Sequence, residues 1–216
     1  MSKGWRKEVM NKENPFDAEV EEYEAWFRAN DKLLESELEA IEQLIPDNGG
    51  GIEIGVGTGI FASNLGIKCG VEPSEKMAAV ARKNGVQVLI ASAEKLPIEI
   101  GSYQFALMVT VDCFLDDVLK AFLEIKRSLA DKGYFIVAFL DRATPLGKIY
   151  EKNKHLHRSY KDAKFHSANE IEDLLEKTGF KIIESKQTVY SLDNKKQEIK
   201  DGTGVGLFAV IKSQKL

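Results

Sequence analysis

The sequence predicts an α/β fold of the Rossmann-like kind, a three-layer sandwich built on a seven-stranded, mostly parallel sheet with an antiparallel strand at its C-terminal end. Three observations predict it. Strand-like and helix-like segments alternate through most of the chain, which implies right-handed crossovers and helices on both faces of a parallel sheet. A glycine run, GIEIGVGTGIFA at 51–62, stands where the first strand turns into a helix. The last two apolar segments, FKIIES and GLFAVIK, are separated only by the polar SLDNKKQEIKDGTGVG, so they are expected to pair antiparallel.

Each element has its own local reason. Val20, Tyr23, Phe27, Leu34, Leu38, Ile41 and Ile45 recur at helical spacing and predict one or two helices before Pro46. GIEI is the first strand and IKCGVE (67–72) the second. SEKMAAVARKNG then reads as a helix capped by Ser74 and stopped at Gly85. VQVLIA and YQFALMVTV (103–111) are the third and fourth strands. Asp116 opens a helix with Val118, Phe122, Ile125 and Leu129 on one face, and the turn ADKG leads into YFIVAFL. Ser167 and Glu170 form a capping box ahead of IEDLLEKTG, which ends at Gly179. The sequence DGTGVG (201–206) repeats the glycine spacing but precedes a strand, so it reads as a turn.

Composition narrows the function classes. At 216 residues the chain suits one domain, 1–216. A formal net charge of −4 argues against a general nucleic-acid binder. Cys69 and Cys113 lie in apolar runs without CxxC spacing, which points to free thiols in a reducing compartment. No apolar run approaches the ~20 residues that cross a bilayer, and MSKGWRKEVMNKEN lacks a signal-peptide core, so a cytoplasmic protein is expected.

The glycine run admits two readings, GxGxG from Gly55, Gly57 and Gly59, or the dinucleotide-type GxGxxA from Gly57, Gly59 and Ala62. A dinucleotide fingerprint wants an acid about 20 residues on to hold a ribose. Glu72 lies 17 residues after Gly55 and only 15 after Gly57, which is early for that pattern. Glu53 points the same way, because a carboxylate two positions before the first glycine suits an ammonium group and would repel a pyrophosphate.

These residues resemble the class I S-adenosylmethionine-dependent methyltransferases, especially the small bacterial and archaeal ones. EIGVGTG resembles their first motif, [DE]-x-G-x-G-x-G, GVEPSEKM their second-strand end, and ASAEKLP their G-D-A-E-x-L-P segment. The resemblance extends over most of the chain and implies S-adenosyl-L-methionine as cofactor. Carried over, Glu53 would sit near the methionyl end, and Gly55, Gly57 and Gly59 would form the loop that admits the ligand. Glu72 would accept both ribose hydroxyls, Pro73 would border the adenine, and the backbone at Ala93 and Glu94 would reach its edge. Val109 or Thr110 would close the methionyl side. Ser92 stands where the family often has Asp, which puts the usual carboxylate contact to the adenine amino group in question. The resemblance also implies that residues 1–45 form a helical lid, with Tyr23 and Trp26 over the methionyl half, 46–140 the cofactor-binding half, and 141–216 the acceptor side and C-terminal hairpin.

The implied reaction is methyl transfer to a small molecule, since no RNA-binding domain is appended. In-line alignment and exclusion of water supply much of the rate, and a base is needed only for a protonated nucleophile. Asp112 is the one candidate catalytic residue, with a helix-capping role as its alternative. From Arg142 to Lys164 the chain carries seven Lys or Arg against Glu151 and Asp162, which reads either as a lid drawing in an anionic acceptor or as a solvated helical face. His155, His157 and His166 lie in the same stretch, but with no Cys or acidic cluster beside them no metal site is expected. Two other functions stay open at this point. One is a module that binds S-adenosylmethionine without transferring methyl. The other is a nicotinamide-dependent oxidoreductase, for which Tyr150 and Lys154 have the Tyr-x-x-x-Lys spacing.

Overall fold

The computed structural model describes residues 20–47, 49–156 and 160–216. Two N-terminal helices, α1 (Val20–Ala29) and α2 (Asp31–Glu42), precede the sheet. Then come β1 (Gly51–Ile54), α3 (Ile60–Asn64), β2 (Cys69–Glu72), α4 (Glu75–Lys83), β3 (Gln87–Ile90) and β4 (Tyr103–Val109). A 3-10 turn at Asp112–Phe114 leads to α5 (Val118–Ser128), β5 (Leu129–Leu140), α6 (Pro145–Asn153), a second 3-10 turn at Lys154–Leu156, and α7 (Ala168–Lys177). The chain closes with β6 (Phe180–Thr188), β7 (Lys200–Asp201) and β8 (Phe208–Lys215).

The strands form one sheet in the order β3-β2-β1-β4-β5-β8-β6-β7. β1 to β5 pair in parallel, and β8 runs antiparallel to both β5 and β6 between them. Among the described residues there are eight strands where seven were expected. The extra one is β7, a two-residue edge piece inside the polar connection that pairs with Lys186 and Gln187. Alternation sorts the central strands between two cores. Ala106, Met108, Phe135, Val137 and Phe139 pack on α5 and α7, while Phe105, Leu107, Val109, Ile136 and Ala138 pack on α2, α3 and α4.

Several local expectations need correction. α5 is capped by Asp117, whose side chain accepts the Lys120 N–H at 3.0 Å, not by Asp116. The ADKG segment belongs to β5, which starts at Leu129 opposite Tyr103 and takes up the extra residues at a register shift. Helix α6 was not foreseen, although Thr144 caps it through the Gly147 N–H and Pro145 occupies its first turn. The polar connection after β6 is also more than a link. Asn194 accepts the Lys32 N–H and donates to the Ala29 carbonyl, and Gln197 N–H donates to Ser36 Oγ at 2.8 Å, so it pins α2 to the sheet. Ser74 and the Ser167–Glu170 capping box are as expected.

Candidate functional site

β1 and β2 run to one side of the sheet's centre and β4 to the other, so the chain reverses direction between β1 and β4. In open α/β sheets, ligands bind outside the carboxyl ends of the strands at such a switch point. A cleft of about 1230 Å³ opens there. Its floor is the turn after β1. Gly55 has φ +75° and a Cβ there would lie 2.3 Å from Val111, so both backbone angle and space require glycine. Gly57 faces the opening, and the nearest atom to its absent Cβ is the Tyr23 hydroxyl at 3.6 Å. Gly59 does not line the cleft. It starts α3 in the left-handed region and packs against Ala81 and Val86, so its role is helix approach.

Glu72, buried at the end of β2, locks this turn. One carboxylate oxygen accepts the Gly57 N–H at 3.0 Å and the other the Ser74 N–H at 2.8 Å. Pro73, Ser92, Ala93, Glu94, Val109 and Thr110 all line the cleft as expected of a ligand wall. Ser92 Oγ is hydrogen-bonded to the Glu94 carboxylate, whose other oxygen accepts the Asp116 N–H at 3.2 Å. A carboxylate is thus present two residues beyond the position where the sequence lacks one. Glu53 lies behind the loop and is absent from the cleft wall. It is 1% exposed, Oε2 has no partner among the described residues, and burial together with the Glu72 charge pushes its carboxyl well above the usual range.

Asp112 also sits off the cleft. Its carboxylate meets His166 Nδ1 at 2.8 Å, and burial raises its pKa against the pull of that imidazole. It neither caps α5 nor reaches the opening; it ties the turn after β4 to the entrance of α7. Cys113, its neighbour, is a buried free thiol on the wall.

In the other half of the cleft only Tyr23 and Trp26 were expected from the sequence. Tyr23, Trp26 and Phe27 of α1 cover one side, although no residue of α1 is fully buried. Phe27 meets Phe61 edge-on at 5.7 Å between ring centroids. Phe114 stacks on Tyr160 at 5.6 Å, and Tyr150 lies edge-on to Tyr160 at 6.2 Å. Val189, Leu192 and Leu207 add apolar wall from the C-terminal segment. Glu37 of α2 lines the same cleft within electrostatic reach of Tyr23, Tyr150 and Tyr160; it is 8% exposed, with no hydrogen bond or ion pair to its carboxylate among the described residues. Burial alone pushes its pKa up to about 8. A clue to Glu37 existed: it sits four residues from both Leu33 and Ile41, on the helix face that is buried.

The basic segment is neutralised in part. Arg142 makes a two-pronged ion pair with Glu170, and Lys154 bonds Glu151 and the Ala163 carbonyl. Lys161 and Lys164 line the cleft but are exposed, which places them at its mouth. His155 and His166 are on separate elements, and His157 lies outside the described residues, as do residues 1–19, including the first part of the expected lid. No helix of the described residues is long and apolar enough to cross a membrane.

Residues 52–137 match the family model for the methyltransferase domain. The chain is 46% identical to a crystallised S-adenosylmethionine-dependent methyltransferase of Thermotoga maritima, a possible histamine N-methyltransferase, with a TM-score of 0.90 over 94% of this chain and 98% of that one. It is 42% identical to an uncharacterised protein of Methanocaldococcus jannaschii over 94% of this chain and all of the relative. It is also 27% identical to the malonyl-[acyl-carrier protein] O-methyltransferase of Geobacter sulfurreducens, across 79% of this chain and 70% of that enzyme.

Proposed function

This chain belongs to the S-adenosylmethionine-dependent methyltransferases, and from that premise we propose how its cleft divides between cofactor and acceptor. The reaction is methyl transfer from S-adenosylmethionine. The observation that carries the proposal is the glycine turn, open above Gly57 and held from below by Glu72.

The residues suit the ligand. Gly55 and Gly57 would admit its backbone-hugging end, Glu72 would accept the ribose hydroxyls, and Pro73 with Ala93 would flank the adenine. Glu94, steadied by Ser92, would offer its carboxylate to the adenine amino group. Val109 and Thr110 would close the methionyl side. Glu53 would act from behind the loop: burial raises its pKa and so favours its neutral form, and the ligand's ammonium is the cation that would favour its charged one. When bound, the sulfonium supplies an electrophilic methyl group, and the chain's task is to align an acceptor with it and keep water out.

In this division the described part of the expected cover is 20–45, with 46–140 the cofactor half and 141–216 the acceptor side, joined there by α2. The acceptor is a small molecule. The anionic acceptor expected of the basic segment would find only Lys161 and Lys164 on the described cleft wall, both exposed at its mouth. S-adenosylhomocysteine should raise the melting temperature, as any ligand that prefers the native state must. Equal or greater stabilisation by NAD would refute the assignment of the cleft. Turnover on a panel of amines, histamine among them, with thiols, phenols and carboxylic acids, separates an enzyme from a module that only binds.

α1 is the part of this cover best placed to move. Beyond the Asn194 bond to Ala29 at its end, it packs through the rings of Tyr23, Trp26 and Phe27, its tryptophan is 42% exposed, and the Tyr23 hydroxyl lies over Gly57. Segments with few buried contacts open most readily. Amide exchange in residues 20–30 should be fast in the free protein and slow once S-adenosylhomocysteine is bound. Slow exchange that the ligand does not alter would make α1 a fixed part of the core.

A further inference from the structure

We propose that the acceptor is a small organic amine whose ammonium group docks against Glu37 within the ring of Tyr23, Phe114, Tyr150 and Tyr160. This rests on the methyltransferase reading of the cleft and names the substrate class its acceptor half selects.

The argument begins with the cost of Glu37. Burying a carboxylate without a partner is expensive, and buried polar groups in folded proteins are almost always satisfied. Glu37 is more than nine-tenths buried, lines the cleft, and receives no hydrogen bond or ion pair from any described residue. Its position in α2 is no accident of surface: the same helix face buries Leu33, Ser36, Ala40 and Ile41, and Ser36 has its partners in Lys32 and Gln197. Of that face, Leu33 and Glu37 line the cleft, and Glu37 is the one that brings a charge to it. An ammonium ion is the one common ligand group that would cancel its charge and fill its hydrogen-bonding capacity together.

The surroundings fit the same chemistry. Phenyl and phenol faces attract cations within about 6 Å, and Phe114, Tyr150 and Tyr160 pack into one cluster beside the carboxylate's opening. The Glu37 charge is felt at the hydroxyls of Tyr23, Tyr150 and Tyr160, which burial already holds in their neutral form. The other charged groups on the cleft wall leave this position open. Glu72 and Glu94 belong to the cofactor half, Glu22 and Asp116 are exposed, and Lys161, Asp162 and Lys164 sit at the mouth. No cation competes for the interior among the described residues. Tyr23 joins the two halves, with its hydroxyl above Gly57 and Glu37 within electrostatic reach.

The test uses the full chain loaded with S-adenosylhomocysteine, titrated calorimetrically with three probes of one shape: phenethylamine, 2-phenylethanol and phenylacetate. The amine is expected to bind at least about tenfold more tightly than either, as a desolvated cation–π and ion-pair contact implies. In Glu37→Gln, S-adenosylhomocysteine should bind as in the wild type while the amine's advantage disappears. Equal binding or equal failure of the three probes, or an advantage that survives Glu37→Gln, overturns the proposal. Labelled methyl transfer into a mixed panel of amines, alcohols and carboxylates gives a second reading, in which product confined to the non-amines also overturns it. Failure of S-adenosylhomocysteine to bind in the first titration would instead bring down the cofactor reading, so the two failures are distinguishable.

Discussion

Glu37→Gln is expected to stabilise the ligand-free protein, by about 3 kcal/mol near pH 7, because the folded chain holds this carboxyl at a cost that grows with pH. Burial lifts its pKa from 4.5 to about 8. Below about 4.5 the group is protonated whether the chain is folded or not, and it contributes nothing to the pH dependence. Between the two values the unfolded chain releases the proton and the folded one keeps it. The folded state then binds more protons, so stability falls as pH rises through this window and levels off above about 8. Glutamine keeps the shape and has no proton to lose. Denaturant titrations of both proteins at pH 4.5 and 7 should therefore give nearly equal stabilities at the lower pH and a gap favouring the variant at the higher. Glu53, raised in the same direction, is present in both proteins and cancels from the difference. Equal stability at both pH values would mean that the Glu37 carboxylate is solvated, and the cost it is said to carry would not exist. A residue that weakens the fold and is kept at a cleft wall is what a trade between stability and binding looks like.

The cofactor half of the cleft was legible because its chemistry is local. The turn after β1 needs glycines for its angles, the acid needs to end the next strand, and both demands leave a mark at fixed spacing in the sequence. The sheet was legible for a similar reason, since strand and helix periods alternate in order; only the two-residue β7 and the short α6 escaped. The acceptor half depends on residues that meet only after folding. Glu37, Phe114, Tyr150 and Tyr160 come from four separate segments, and nothing in the spacing ties them together. Asp112 shows the same limit from the other side. Its place after β4 suggested chemistry, yet its partner is His166, 54 residues away, and that pairing turns it from the cleft. A charged residue on an apolar helix face was the one signal available for Glu37.

Glu72→Ala is expected to weaken binding of S-adenosylhomocysteine by roughly 2 to 4 kcal/mol, given ~1.5 to 3 for each hydrogen bond to a charged group and incomplete additivity. The geometry adds a complication to that expectation. Glu72 already accepts the Gly57 and Ser74 amides, so its removal frees two backbone donors as well as any ribose contact. Loss of affinity alone would not say which matters. Adenosine and 2′,3′-dideoxyadenosine separate the two, since they share the adenine and differ only in the hydroxyls. The wild type should prefer adenosine, because a site built to hydrogen-bond a hydroxyl rejects the analogue that lacks it. In Glu72→Ala both nucleosides should bind weakly and about equally, whereas a loop effect alone would weaken both and leave the preference intact. Glu72→Gln should resemble Ala more than the wild type: the amide has one acceptor oxygen, and its NH₂ would face either the Gly57 or the Ser74 N–H, donor against donor. Calorimetry on the three proteins reads all of this, with a melting curve of each to show that it is folded. A preference for adenosine that persists in Glu72→Ala would remove Glu72 from the ribose and leave it as the clasp of the glycine turn.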